Sequence, residues 1–386
     1  MNVNDVLKAS VTALTLIGAV LAGLYAYRKQ LLSEGDAHRA DASQLADRYT
    51  TAAEQLGHDQ AAVRLAGVYA LARLADDWEE QRQVCIDVLC AYLRMPYQPD
   101  PAATDHKTGE REVRHTIIRV IRNHLQQPSD PLSWCTYTLD FTGATFDGGD
   151  FYSSHFRGEV HFCDAGFIGS VDFRLAEFSS GSVGFRGATF SGGTVDFSEA
   201  KFNGGTLNYR GAKFNGGTVD FSRADFSGGE VVFDDAAFSD GTVSFSDAMF
   251  SGATVTFASA DFEGGTVDFS AAFNSGTVAF SKAEFSGGTV GFHRAAFNSG
   301  SVQFADAALT SGTVDFSDAV FTGGAVGFVD ARLTGGMLSF DHAHFIGGTI
   351  NFSGAIRSGS TLRFDGTAFT GTAIDWGSLP VPAGAQ

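Results

Sequence analysis

The stretch GGTVDFSEAKFNGG, Gly192 to Gly205, returns with small edits from about Gly181 to the end of a 386-residue chain. A period this short means stacked copies of one small unit rather than a single closed core. Within the unit the apolar positions are Val195, Phe197, Ala200 and Phe202, spaced two, three, two. Alternation puts Val195 and Phe197 on one side of an extended segment and Asp196 on the other. After a turn the layout returns as Ala200, Lys201, Phe202. Each half is a short face with a small or branched inward residue, an outward residue and an inward aromatic.

Near its start the repeat brings an aromatic every five residues, at Phe141, Phe146, Phe151 and Phe156. Farther on the spacing alternates five and seven, which defines a core ladder through Phe185, Phe190, Phe197, Phe202, Phe214, Phe221, Phe226, Phe233, Phe245, Phe257 and Phe269, with Tyr209 in the same series. The two added residues, usually GG or GT, fall at alternate corners, where Gly accepts the φ values required. Leu309 and Leu333 replace Phe. The unit at Ala271 to Phe273 is one residue short, and NFSGAIRSGSTLRF, Asn351 to Phe364, is expected to break the spacing again.

The outward residue before each aromatic sets the size of a coil. Every second unit gives Asp172, Asp196, Asp220, Ser244, Asp268, Gly291, Asp315, Ser339 and Arg363; the units between give Gly184, Asn208, Val232, Thr256, Ala279, Gln303, Gly327 and Asn351. A sheet face keeps one chemistry along its length, so the alternation predicts a coil of twenty-four residues with four faces. The expected fold is mainly β, a right-handed quadrilateral parallel β-helix, in which about ten coils at roughly 4.8 Å make a rod near 50 Å long.

The spacing of five, with Leu139, Ala144, Gly149 and Ser154 each two places before an aromatic, resembles pentapeptide repeats. Taken with QLGHDQAAVRLAGVYALARLADD and VLCAYLRMPY, nearly the whole chain resembles membrane-anchored bacterial pentapeptide-repeat-containing proteins. That resemblance implies a fold more than an activity. Some relatives mimic DNA with an acidic rod and block a topoisomerase, which makes an acidic DNA mimic the alternative reading here.

Ahead of the repeats the organisation changes twice. Ala9 to Tyr27 is free of charge for about nineteen residues, long enough to cross a bilayer. Arg28 and Lys29 follow directly and place the bulk of the chain in the cytoplasm by the positive-inside rule. Gly18 with Ala22 and Ala19 with Gly23 offer small-residue spacings for anchor pairing, the basis for considering a homodimer. The expected divisions are an anchor over 1–29, a helical segment over 30–127, the β-helix over 128–378 and a disordered tail over 379–386.

The helical segment predicts four helices. One runs from Leu31 to Leu56 and stops at Gly57. A second, capped by Asp59, turns Val63, Ala66, Val68, Tyr69 and Leu71 inward. A third, Gln81 to Arg94, buries Val84, Val88, Leu89 and Tyr92. The last sets Val113, Ile117, Val120, Ile121 and Leu125 inward and Arg111, Arg114, Arg119 and Arg122 outward. The pattern VRLAGVYALARLA resembles HEAT-type helices, and such helices would cover an end of the solenoid, whose edge otherwise recruits other chains.

Charge narrows the function. Formal net charge is -18, and from Leu139 onward 27 Asp or Glu stand against 12 Lys or Arg. An acidic surface repels phosphate backbones, so direct nucleic-acid binding is not expected. Cys85, Cys90, Cys135 and Cys163 have neither CxxC pairing nor His at ligand spacing, so neither disulfides nor zinc are expected. Asp172, Asp196, Asp220, Asp268 and Asp315 form a candidate acidic ladder, while His342 and His344 flank the inward Ala343 and face solvent. No motif for catalysis, a cofactor or a metal occurs in credible context. The expected function is non-catalytic: a membrane-tethered solenoid serving as a scaffold for an unidentified protein partner.

Overall fold

The computed structural model describes residues 43–179 and 181–381. The predicted anchor over Ala9 to Tyr27, its flank Arg28 and Lys29, and the start of the first helix lie outside the described residues. Among the described residues no helix is long and apolar enough to cross a membrane. The chain forms two compact units, Met1–Glu79 and Glu80–Gln386, so the stretch predicted as one helical segment over 30–127 is shared between them.

In the first unit, helix α1 (43–56) lies against α2 (Ala61–Asp77). They meet tightly at Gly67, where an added Cβ would stand 2.6 Å from the Leu56 backbone nitrogen and 3.0 Å from the Ala52 carbonyl oxygen. That contact fixes the inward stripe as Gly67, Val68, Leu71, Leu74 and Ala75, and it turns Ala66 and Tyr69, both expected inward, to the surface. The expected Asp59 cap is also corrected. Gln60 is the N-cap residue, without a side-chain capping bond, and the Asp59 carbonyl accepts a hydrogen bond from Arg64 at 2.6 Å.

The second unit opens with α3 (Arg82–Arg94) and α4 (Glu110–His124). On α3 the buried arc is Cys85, Ile86, Leu89, Cys90, Tyr92 and Leu93, and Val84 is exposed. The arc is rotated from the expected one because the cysteines serve as small apolar fillers on the inner face. On α4 the five residues expected inward are buried. Arg114, expected outward, is 2% exposed. Its guanidinium lies 4.5 Å from the centre of the Tyr97 ring and donates to the carbonyls of Tyr92, Leu93 and Met95. A cation there supplies donors to carbonyls at the end of α3, which run short of helix partners, and Glu110 at 3.7 Å balances the charge.

From residue 139 the chain winds as a parallel β-solenoid of right-handed type. The first coil shows its four walls at residues 139–141, 144–146, 149–151 and 154–156, here called walls 1 to 4, and each later coil repeats them. Walls 2 and 3 are separate ten-stranded parallel sheets, whereas walls 4 and 1 join in one seventeen-stranded sheet. The junction arises because Lys201–Asn208, Asp225–Val232, Met249–Thr256 and Ala272–Ala279 are continuous strands that run through the corner.

Register confirms the coil. Leu139 pairs with Val160, Gly149 with Val171, Val160 with Val183 and Val171 with Val195, so the offset grows from 21 residues to 24 as the corner insertions enter. The short unit at Ala271 is absorbed within one coil: Met249 pairs with Ala272, and Ala272 with Ala296. The expected break over Asn351 to Phe364 does not occur, since Gly327 pairs with Asn351 and Ser339 with Arg363. What changes there is chemistry. Arg357 occupies the aromatic slot of wall 2 above Leu333, turns to solvent and donates to the Ser360 carbonyl.

The aromatics fill the axis. Every residue of the predicted core ladder is buried, and rings of successive coils stack, as in Phe197 to Phe221 at 5.0 Å and Phe221 to Phe245 at 4.9 Å. Rings of facing walls meet edge to face, as Phe185 does Phe197, the geometry that aromatic quadrupoles favour. At the far end Leu379, placed in the expected disordered tail, is buried and donates its N–H to the Trp376 carbonyl, and residues 382–386 lie outside the described residues.

Candidate interaction surfaces

Because the coils stack in register, each outward position becomes a column. The column expected on one face is present on wall 3: Asp172 pairs in sequence with Asp196, Asp220, Ser244, Asp268, Gly291, Asp315, Ser339 and Arg363. Asp150 precedes it, in register with Asp172.

The carboxylates of this column hold the corners. Oδ1 of Asp172, Asp196, Asp220, Asp268 and Asp315 accepts the backbone N–H two residues on, at 2.8 to 3.0 Å. This is an Asx turn, which bends the chain at a defined place. The hydroxyls of Ser198, Ser222, Ser270 and Ser317 donate to the same oxygens, and Ser246 reaches across a coil to Asp268 at 2.6 Å. The ladder is thus a tied seam along a corner, with its negative charge already hydrogen-bonded.

A residue with positive φ stands in the middle of most tight corners, the shortened corner after Phe269 being an exception. Glu199, Arg223, Asp235, Asp318 and His342 stand there at φ 57° to 60°. Sequence reasoning reserved such angles for Gly at the inserted corners. At each of these positions the N–H of the following Ala pins the turn, as from Ala200 to the Phe197 carbonyl at 3.0 Å; the Asx bond adds a second hold at Glu199, Arg223 and Asp318, whereas Asp235, which follows Val232, takes the same angle without one. At the inserted corners Gly serves a different need. A Cβ on Gly205 or Gly348 would collide with the carbonyl oxygen of Gly181 or Gly324 one coil away.

The amino-terminal end of the solenoid is capped by its own unit. Gln83 of α3 donates to the Thr138 carbonyl at 2.9 Å and accepts its N–H at 3.1 Å, imitating a neighbouring strand. The N–H groups of His155, Arg157 and Gly158 donate to the carbonyls of Leu125 and Cys135. Asp147, in the first coil, gathers Tyr97 at 2.7 Å, Arg111 at 2.9 Å and His115 at 2.9 Å. Burial alone would raise its pKa, but the bonds from His115, Tyr97 and Arg111 prevail and hold it down at about 2. No sequence signal singled out Asp147 among the acidic residues of the repeats. The other helix arginines pair on the surface, Arg119 with Glu112 at 3.5 Å and Arg122 with Asp150 at 3.9 Å.

A cleft of about 490 Å³ opens between α3 and the first two coils, lined by Gln83, Asp87, Cys90, Arg94, Thr138, Asp140 and His161. Arg94 and Asp140 form an ion pair across it, and burial raises the Cys90 thiol far from thiolate formation, with Asp87 adding to the shift. Among the described residues no group of three His, Cys, Asp or Glu is placed to hold a metal. Ala343 is buried, with His342 and His344 exposed on either side. All four cysteines are free thiols.

Residues 180–225 match a family model described as pentapeptide repeats. That stretch spans two coils in which walls, corners and aromatic slots follow the layout above, so fold and match define a β-solenoid of the pentapeptide-repeat type there. No curated protein and no solved structure matches the chain.

Proposed function

We propose that the protein is a non-catalytic, membrane-tethered solenoid whose walls organise a protein partner on the cytoplasmic side of the cell membrane. The observation that carries this reading is the register itself. Ten coils held in step turn single outward residues into rigid, straight columns, a surface suited to binding an extended or flat partner without rearrangement. Tethering rests on the uncharged run Ala9 to Tyr27 followed by Arg28 and Lys29.

Affinity purification from membranes, with the full chain against one ending at Gln127, tests the scaffold. Proteins recovered only with the solenoid present are expected, and identical sets would refute the reading. Carbonate washing tests the anchor, since release into the supernatant would contradict it. The DNA-mimic alternative predicts inhibition of gyrase supercoiling, but the wall 3 carboxylates are tied into turns rather than displayed like free phosphates. No inhibition at high protein excess is the expected result.

A further inference from the structure

The two wall pairs of this solenoid differ in charge although the same repeat builds both. Over four consecutive coils the joined walls 4 and 1, residues 249–256, 272–279, 296–303 and 320–327, hold no charged residue. Across the same coils, walls 2 and 3 (237–244, 261–268, 284–291 and 308–315) carry Asp240, Asp261, Glu263, Asp268, Glu284 and Asp315 without any Lys or Arg. The fold does not require neutrality on walls 4 and 1, since earlier coils place Glu177, Lys201, Asp225 and Glu230 in the same columns.

Several polar side chains of the neutral wall pair with one another along it, while the buried Thr256 hydroxyl has no partner among the described residues. Asn298 donates to Asn274 at 2.8 Å, Thr322 to Asn298 at 3.2 Å, and the hydroxyls of Thr277 and Ser301 lie 3.1 Å apart. Covering such a surface leaves few polar groups stranded, so its desolvation cost is low. Beside the Asn ladder, at the start of each wall 4 strand, Met249, Ala272, Ala296 and Val320 stand in register. The rim carries both signs, with exposed Asp247, Arg294 and Asp318 on one side and Lys282, Asp306 and Asp330 on the other. An uncharged centre with a charged rim is the anatomy of an interface.

We infer that this wall pairs face to face with the same wall of a second copy of the chain. Elsewhere two copies at formal charge -18 repel, and pairing here leaves both acidic wall pairs pointing away from each other. A second copy also brings the same coil pitch, so its columns match in step, which an unrelated surface would do only by chance. Eight-residue segments at about 3.3 Å by four coils at about 4.8 Å offer roughly 500 Å² per copy, or about 1,000 Å² in all, the lower bound for a specific interface. The coil at 344–351, also without Asp, Glu, Lys or Arg, extends it. This pairing requires neither the membrane anchor nor a different protein partner.

Sedimentation of the purified full chain in detergent, up to about 100 µM, tests it. A reversible dimer is expected, and Ala296→Asp or Thr277→Glu should weaken it by about tenfold or more. Both columns already hold a carboxylate, at Asp225 and Glu230, so these variants keep the fold, and an unchanged melting curve checks that. Ala237→Asp on wall 2 should leave the dimer intact. A chain monomeric throughout, a dimer indifferent to the wall 4 and wall 1 variants, or one equally weakened by Ala237→Asp would each overturn the inference.

Discussion

Replacing Phe221 by Ala removes a ring from the middle of the solenoid where nothing can move in to replace it. The side chain is fully buried, stacked 5.0 Å from Phe197 and 4.9 Å from Phe245, with Phe202, Phe226 and Tyr209 around its edge. Losing about 100 Å² of buried apolar surface at ~25 cal/mol per Å² costs about 2.5 kcal/mol. A residual cavity of some ~70 Å³ at ~24 cal/mol per Å³ adds roughly 1.5 kcal/mol, because the hydrogen-bonded coils above and below hold the walls apart. The expected loss is about 4 kcal/mol, read by urea unfolding followed by far-UV circular dichroism. Phe369, in the terminal coil and only half-buried, has one stacked neighbour in its column, Phe345, and its truncation should cost under about 2 kcal/mol. A Phe221→Ala loss below that of Phe369→Ala would refute the reading of a rigid aromatic axis.

Tyr209 stacks between Phe185 and Phe233 with its hydroxyl buried and without a partner among the described residues. Tyr209→Phe should therefore raise stability by about 1 to 2 kcal/mol in the same unfolding assay. Asp147 has a folded-state pKa held below its usual 3.8, at about 2. Its contribution of about 2 kcal/mol is complete above pH ~4 and lost as pH falls through ~2, and Asp147→Asn should flatten acid unfolding over that interval. Arg114→Leu leaves Glu110 without its buried counter-ion and takes donors from carbonyls at the end of α3. A loss of about 3 kcal/mol is expected, with hydrogen exchange rising first in α3 and α4.

The coil was legible because periodicity survives substitution: Ser244, Gly291 and Arg363 interrupt the Asp column without disguising its interval. Depth along the axis was legible too, since an aromatic at a fixed place in each face has only the interior to enter. Polar residues that work inward were not legible. Arg114 follows the outward stripe of α4 by hydropathy, yet the open end of α3 lies where its guanidinium arrives, and no helix pattern encodes the position of a neighbouring helix. The same limit hid Asp147, whose three partners come from Tyr97 and α4. It also hid the role of the acidic ladder, because a side chain folding back on its own backbone looks, in sequence, like one offered to solvent.

The one-residue gap at Ala271 is healed within a single turn of the chain. If a missing residue disturbs only its own turn, then loss or duplication of a whole period, for instance 218–241, should leave every column continuous across the join. The molecule can thus be lengthened or trimmed like a graduated scale, in steps of one coil, with no new side-chain solution at the splice. Its reach is a quantity that changes by counting rather than by redesign.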